Sequence, residues 1–226
     1  MDCMEWLNRR GIKASNPQLI HQAFMHSSYA NEHRRCSDNE RLEFMGDAVL
    51  QLWSSREIYA LEPPLSEGEM TRLRASLVCE KALAGYARKM ELNRFLLLGS
   101  GEEKTGGRNK DAIIADMFEA FLGALYLDQG MDAVSIVLHE AMDSYLRHPQ
   151  ALDEFKDYKT RLQEYVQADR RNSVRYVLVS ESGPANSPTF TMNAVVDDLV
   201  MGTGSGSSKK EAEQNAARNA FEKMVK

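Results

Sequence analysis

Over residues 112–127 the chain reads AIIADMFEAFLGALYL, and the charged residues in that run are Asp116 and Glu119, two acids with no base beside them. The run is long, rich in Ala, Leu, Met and Phe and free of Pro, which predicts a helix. On such a helix Asp116 and Glu119 share a stripe with Ala112, Ala115, Ala120 and Gly123, small residues that let a second helix come close. Both acids are therefore expected to face protein. A buried, unpaired carboxylate costs several kcal/mol, whereas like charges along one helix cost only about 0.2–0.5 kcal/mol. Burial is the larger penalty, so a positive partner is expected.

The candidate facing segment is NERLEFMGDAVL at 39–50, whose Glu40, Glu43 and Asp47 fall within about 60° on one helical face. Leu42, Met45, Val49, Leu52 and Trp53 lie opposite and are expected to form its core stripe. Taken alone, these acids read as a solvated helix face. If the two helices pack with their acids facing, Glu43, Asp47, Asp116 and Glu119 converge with oxygen donors only. Such a set suits Mg²⁺ or Mn²⁺ and argues against zinc. The competing reading is a structural ion-pair network; convergence of four acids favours the metal.

The elements that must position these groups can be read in outline. At 226 residues the chain can hold one large or two small domains. Residues 1–147 read as helices punctuated by turns. Asn16 is an N-cap before Pro17 and opens a helix through Phe24, and Ser66 with Glu69 forms a capping box that starts another. The run GSGEEKTGGRNK at 99–110 is too glycine-rich for an element, and a helix is expected over 132–146. Residues 148–154 read as a linker. Beyond it, 155–226, the pattern changes to a helix at 155–168, strands at 174–180, 189–196 and 199–202, and a helix at 207–225 packing through Ala212, Ala216, Ala220 and Phe221. The expected fold class is an all-α first domain followed by a small α+β domain of order α-β-β-β-α.

The formal charge of -5 runs against a nucleic-acid partner, which usually meets a basic excess. From Asp153 onward, however, 11 Lys and Arg balance 11 Asp and Glu, leaving 17 against 22 before it, so the acidity belongs to the first part. Cys3, Cys36 and Cys79 show neither an even count nor metal-ligand spacing and suit a reducing compartment. No cationic start leads an apolar stretch, and no run has bilayer length, so a cytosolic protein with no membrane partner is expected. Lys209 and Lys210 stand at a helix N-terminus, where cations meet the positive end of the dipole. They are either solvated or aimed at phosphate, and the preceding GTGSGSS, read as a loop with accessible backbone, favours phosphate.

The segments at 39–50 and AIIADMFEAFLGALYLDQG at 112–130 resemble the catalytic domain of bacterial ribonuclease III. KTRLQEYVQ at 159–167, GPANSPTF at 183–190 and GSSKKEAEQNAARNAF at 206–221 resemble a double-stranded-RNA-binding domain. The resemblance implies that Glu43, Asp47, Asp116 and Glu119 are the metal-binding, catalytic carboxylates, the four already reached from spacing, with Glu40 and Glu67 as assisting acids. It implies that Phe44 enters a socket on a second copy, hence a homodimer. Gln163 and Glu164 would be first-helix RNA contacts, Gly183 and Pro184 would begin a minor-groove loop, and Lys209 and Lys210 would bind phosphate. Two positions depart from the family's pattern. Asn186 stands where Gly-Pro-x-His is usual, offering a shorter side chain with different donors, and Met45 replaces a more usual Leu, a volume-conserving change.

The implied activity is Mg²⁺-dependent hydrolysis of double-stranded RNA, with Mn²⁺ able to substitute and no organic cofactor. It would leave 5′-phosphate and 3′-hydroxyl ends with short 3′ overhangs, in processing of ribosomal precursors, messengers and other structured RNAs. One alternative is a non-catalytic duplex-RNA-binding regulator, which would not need all four acids. Another is a di-iron carboxylate oxidase, whose Glu-x-x-His pairs this chain lacks. His26 and His33, flanking SSYANE, read as structural.

Overall fold

The structure, a computed structural model, describes residues 2–33, 36–149, 151–152, 157–168, 173–184 and 187–224. The chain divides into two units, Met1–Lys156 and Asp157–Lys226. The first is helical: α1 (Cys3–Asn8), α2 (Pro17–Gln22), α3 (Ser27–Glu32), α4 (Glu40–Tyr59), α5 (Glu67–Leu77), α6 (Glu80–Lys89), α7 (Ser100–Lys104), α8 (Asp111–Gln129) and α9 (Met131–Arg147). The second runs α10 (Tyr158–Ala168), β1 (Arg175–Ser182), β2 (Thr189–Val196), β3 (Leu199–Gly206) and α11 (Lys209–Met224). Helices followed by the α-β-β-β-α order agree with the expected fold class.

The acid-bearing α8 is the axis of the first unit. Ile114, Met117, Phe118, Phe121, Leu122 and Leu125 on it are fully buried, and Trp6 and Phe24 pack their rings against Phe121. Burial on nearly every side explains why the helix is apolar all round. The anticipated start signals are present. Asn16 Oδ1 accepts the Leu19 N–H at 3.2 Å ahead of Pro17, although α2 ends at Gln22, two residues short of Phe24. Glu69 accepts the Ser66 N–H at 2.8 Å and completes the capping box of α5.

Four expectations are corrected. The glycine-rich run 99–110 contains α7 and a 3-10 turn, Gly107–Asn109. Its N-terminus is held from α3, where Ser28 Oγ accepts the Gly99 N–H and Glu32 accepts the Ser100 N–H, and Arg108–Glu103 and Lys110–Glu102 pairs close it. Leu52 is 64% exposed; it sits about 80° around α4 from Leu42, outside the stripe formed by Leu42, Gly46, Val49, Leu50 and Trp53. Leu152, in the expected linker, is buried in the core of the first unit. The rest of that linker lies partly outside the described residues, as do 153–156, where the next helix was expected to begin.

The fourth correction concerns β3. Among the described residues the strands form an antiparallel sheet in the order β1-β2-β3, with α10 and α11 burying Leu162, Val166, Met192, Ala194, Ala212, Ala216 and Ala220. β3 continues to Gly206, through the run read as an accessible loop. The glycines alternate toward α11. A Cβ at Gly202 would stand 2.4 Å from the Ala216 carbonyl oxygen and one at Gly204 2.1 Å from the Ala216 nitrogen. Strand and helix touch backbone to backbone, which period-two glycines opposite alanines permit.

Candidate active site

α4 and α8 cross at a pair of glycines. A Cβ on Gly46 would lie 1.8 Å from the carbonyl oxygen of Glu119, and one on Gly123 would lie 2.2 Å from that of Leu42. Gly123 was expected to admit a neighbouring helix; its counterpart Gly46 was not identified from the sequence. Because Gly46 sits between Glu43 and Asp47 in the chain, this contact sets the acidic edge of α4 against the Asp116 and Glu119 face of α8.

The electrostatics report that proximity. Burial pushes the Glu119 carboxyl up to about 8, and the charges of Asp47, Glu43 and Asp116 add to it. Burial also raises Glu43, helped by Asp116, Glu40 and Asp47, and raises Asp116, helped by Glu80, while His26 draws it down. Both α8 acids are partly buried, Glu43 likewise, and Asp47 is exposed. Gln51 Nε2 donates to Asp47 Oδ1 at 3.4 Å. None of the four acids has an ion pair with a Lys or Arg among the described residues. The surroundings therefore disfavour four negative charges, and a cation would relieve them. As the side chains stand, no three His, Cys, Asp or Glu residues among those described are grouped closely enough to hold an ion. Charge and donor type fit a hard divalent ion; the side-chain spacing is wider than coordination requires.

A consequence follows for the metal-free protein. Glu119 binds its proton more tightly folded than unfolded, so its contribution to stability is complete in acid and is lost as pH rises from its ordinary 4.5 through about 8. With EDTA present, the unfolding temperature should fall more steeply between pH 5 and 8.5 in the wild type than in Glu119→Gln. Calorimetry giving equal slopes would contradict the raised carboxyl.

The other expected site residues separate into two groups. Glu40 is exposed at the start of α4, and its charge acts on Glu43. Glu67 is not among the charges acting on Glu43, Asp116 or Glu119; it opens α5, accepts from Thr71 Oγ1 at 3.0 Å, and lines a cavity of about 260 Å³ with Ile58, Tyr59, Met70 and Arg74. Phe44 is 80% exposed, on a face of α4 it shares with Leu52 and Tyr59, the last 79% exposed. Sequence reasoning missed Glu80 and read His26 as structural; the charges of both act on Asp116. They do so from distant segments, and no spacing rule links them to it.

In the second unit, Gln163 Oε1 accepts the Val174 N–H at 3.1 Å, which leaves its amide N–H groups as donors, and Glu164 is exposed. Gly183 has φ +92°, and the Ser187 N–H donates to the Pro184 carbonyl, so Gly183 and Pro184 open a tight exposed turn. Asn186 lies outside the described residues. Lys209 and Lys210 occupy the first turn of α11 and are exposed. That terminus is capped by its own side chains: Ser208 Oγ accepts the Glu211 N–H at 3.2 Å, and Glu211 accepts the Ser207 N–H at 2.8 Å. With the glycines committed to β3, any phosphate contact there depends on the lysine ammonium groups.

Comparison with known proteins gives matches to both units. Residues 16–145 match the ribonuclease-III-like family and residues 158–224 match the double-stranded RNA binding motif. The Ribonuclease 3 of Bacillus licheniformis is 48% identical over 220 residues, covering 96% of this chain and 88% of that protein. The Ribonuclease 3 of Oceanobacillus iheyensis is 46% identical over 226 residues, covering 99% of each. A solved structure of the nuclease domain of ribonuclease III from Campylobacter jejuni, described for flexibility in a region involved in dimer formation, superposes with a TM-score of 0.56 at 32% identity, covering 62% of this chain and 99% of that one.

Proposed function

This chain belongs to the ribonuclease III family and is a double-stranded-RNA endoribonuclease, and from that premise we propose that Glu43, Asp47, Asp116 and Glu119 form its catalytic, Mg²⁺-dependent centre. The observation that carries this reading is that Glu43, Asp116 and Glu119 are each raised by burial, with Asp47 among the charges acting on Glu43 and Glu119, where α4 touches α8. Four oxygen donors without a protein cation suit Mg²⁺, with Mn²⁺ as substitute. When bound, the ion would supply an activated water and charge neutralisation at the scissile phosphate. The acids themselves, carried on two helices in backbone contact, offer a rigid frame on which small rotamer changes close the ligand set. Attack on phosphorus with loss of the 3′ oxygen leaves 5′-phosphate and 3′-hydroxyl ends. Incubation of a long RNA duplex with Mg²⁺, followed by end mapping, tests this; products with 3′-phosphate ends, or cleavage undiminished in EDTA, would contradict it.

The exposed Phe44, Leu52 and Tyr59 favour a homodimer in which Phe44 enters the cavity beside Glu67 of a second copy. That seating would bring the partner subunit's Glu67 to the acidic edge holding Glu40 and Glu43, giving the assisting acid a role it lacks within one chain. Two sites related by a two-fold axis cut both strands and leave short 3′ overhangs. In sedimentation, Phe44→Asp should shift the protein from dimer to monomer; an unchanged dimer would remove the plug.

The second unit would read A-form shape, 2′-hydroxyls and phosphates through Gln163, Glu164, the Gly183–Pro184 turn with Asn186, and the two lysines. Lys209→Ala with Lys210→Ala should weaken duplex binding and reduce the log–log salt slope by about 2, roughly one per lost phosphate contact. A slope equal to that of the wild type would leave both lysines as solvated cations. Structured cytoplasmic precursors of ribosomal and messenger RNA are the proposed natural substrates, and no helix among the described residues is long and apolar enough to cross a membrane.

A further inference from the structure

The two helices of the second unit carry different RNA-facing residues, so one must be fixed against the other. α11 is seated on β3 through Gly202 and Gly204. Its apolar contact with α10 joins Leu162 and Val166 to Ala212, Ala216 and Ala220 in one core. Methyl groups set a distance but interlock weakly, which leaves the register of the two helices to directional bonds.

Such bonds are present at the start of α10. The first N–H groups of a helix have no partner within it. Gln214 Oε1 accepts two of them, from Tyr158 at 2.8 Å and Lys159 at 3.3 Å, although it lies on α11, 56 residues beyond Tyr158. Asp157 Oδ1 accepts the next, from Thr160 at 3.2 Å, and also the Gln214 Nε2–H at 2.9 Å, so the two side chains form one cap. Lys159 Nζ adds an ion pair to Glu213 at 2.6 Å. Farther along, the Tyr165 hydroxyl donates to the Met224 carbonyl at 2.9 Å. The helices therefore run in the same direction and are tied at both ends.

The Gln214 tie sits beside the residues assigned to RNA. Lys210 is four residues before Gln214, about 40° around α11, and Gln163 is four residues beyond Lys159 on α10. A shift of α10 against α11 here would move Gln163 and Glu164 relative to Lys209 and Lys210, and all four must meet one stiff duplex together.

We propose that Gln214 is a positioning residue for duplex RNA: it holds α10 in the register that lets Gln163 and Glu164 engage the duplex while Lys209 and Lys210 reach its phosphates. Its own Oε1 and Nε2 are engaged within the protein, so it acts through α10. The inference rests on those four residues being RNA contacts.

The test is the dissociation constant of the full-length protein for an RNA duplex, in EDTA so that the RNA stays intact, at a temperature where thermal unfolding shows every variant folded. Gln214→Ala should weaken binding about tenfold, the ordering cost of one or two contact side chains that are no longer prearranged. The log–log salt slope should stay at its wild-type value, because the lysines remain on α11. Gln163→Ala should weaken the wild type and add little to Gln214→Ala. Gln163 bonds the Val174 N–H and Gln214 the start of α10, so non-additivity between them reports their shared route to RNA. Exchanging the capping pair, Gln214→Glu with Asp157→Asn, keeps both cap acceptors, reverses the bond between them and should restore most of the affinity. Unchanged affinity in Gln214→Ala, additive losses with Gln163→Ala, or an exchanged pair as weak as Gln214→Ala would overturn the positioning role while the RNA contacts stand. Wild-type affinity in both Gln163→Ala and the Lys209→Ala, Lys210→Ala variant would instead overturn the RNA contacts and the inference with them.

Discussion

Glu119→Gln is expected to slow cleavage of an RNA duplex by about 10²- to 10⁴-fold while leaving duplex binding near its wild-type value. The substitution keeps the size of the side chain and removes its charge. Glu119 is the group on which the other acids converge: Asp47, Glu43 and Asp116 all raise it, and its own backbone carbonyl is the contact point with Gly46. Metal-borne stabilisation of a phosphoryl transition state is worth several kcal/mol, and each 1.36 kcal/mol is about tenfold in rate. Glu119 lies outside residues 158–224, which match the double-stranded RNA binding motif, so single-turnover cleavage should collapse where filter binding does not. A variant cleaving at the wild-type rate would remove Glu119 from the chemistry.

Gly46→Ala should damage both stability and activity, although no reactive group is altered. The new methyl would meet the Glu119 carbonyl oxygen at 1.8 Å, and since that atom is backbone, α4 must move away from α8. Overpacking of this kind costs about 1–3 kcal/mol, which for a protein of this size lowers the unfolding temperature by about 2–4 °C per kcal/mol. The same separation shifts Glu43 and Asp47 relative to Asp116 and Glu119, and misplacement of about 1 Å can cost about 10²-fold in rate. Gly123→Ala should act in the same direction through the Leu42 carbonyl at 2.2 Å, whereas Gly101→Ala, with nothing within 4 Å, should do little. Calorimetry and cleavage assays on the three variants check this; a fully active, fully stable Gly46→Ala would refute the close crossing.

The acidic edges of the two helices were legible because helical periodicity is local: Glu40, Glu43 and Asp47 fall on one face whatever the helix packs against, as do Asp116 and Glu119. The small-residue stripe containing Gly123 was legible for the same reason. Gly46 was not, since a lone glycine within a helix reads only as a weak propensity penalty until its neighbour is known. Leu52 was misplaced because hydrophobicity alone does not distinguish a core stripe from an exposed apolar one when both run along α4. Alternating glycines in β3 looked like a loop because their partner, the alanine face of α11, lies farther along the chain. α7 was missed because its start is capped by Ser28 and Glu32, supplied from another helix. The charges of Glu80 and His26 act on Asp116 from segments that no local spacing rule ties to it.

The most direct test of the four-acid centre is a crystal of the full-length protein soaked in Mn²⁺ and measured at the manganese absorption edge. An anomalous peak bounded by carboxylate oxygens of Glu43, Asp47, Asp116 and Glu119, lost in Glu119→Gln, is the predicted result. Ordered Mn²⁺ elsewhere, with these four acids unligated, would contradict it.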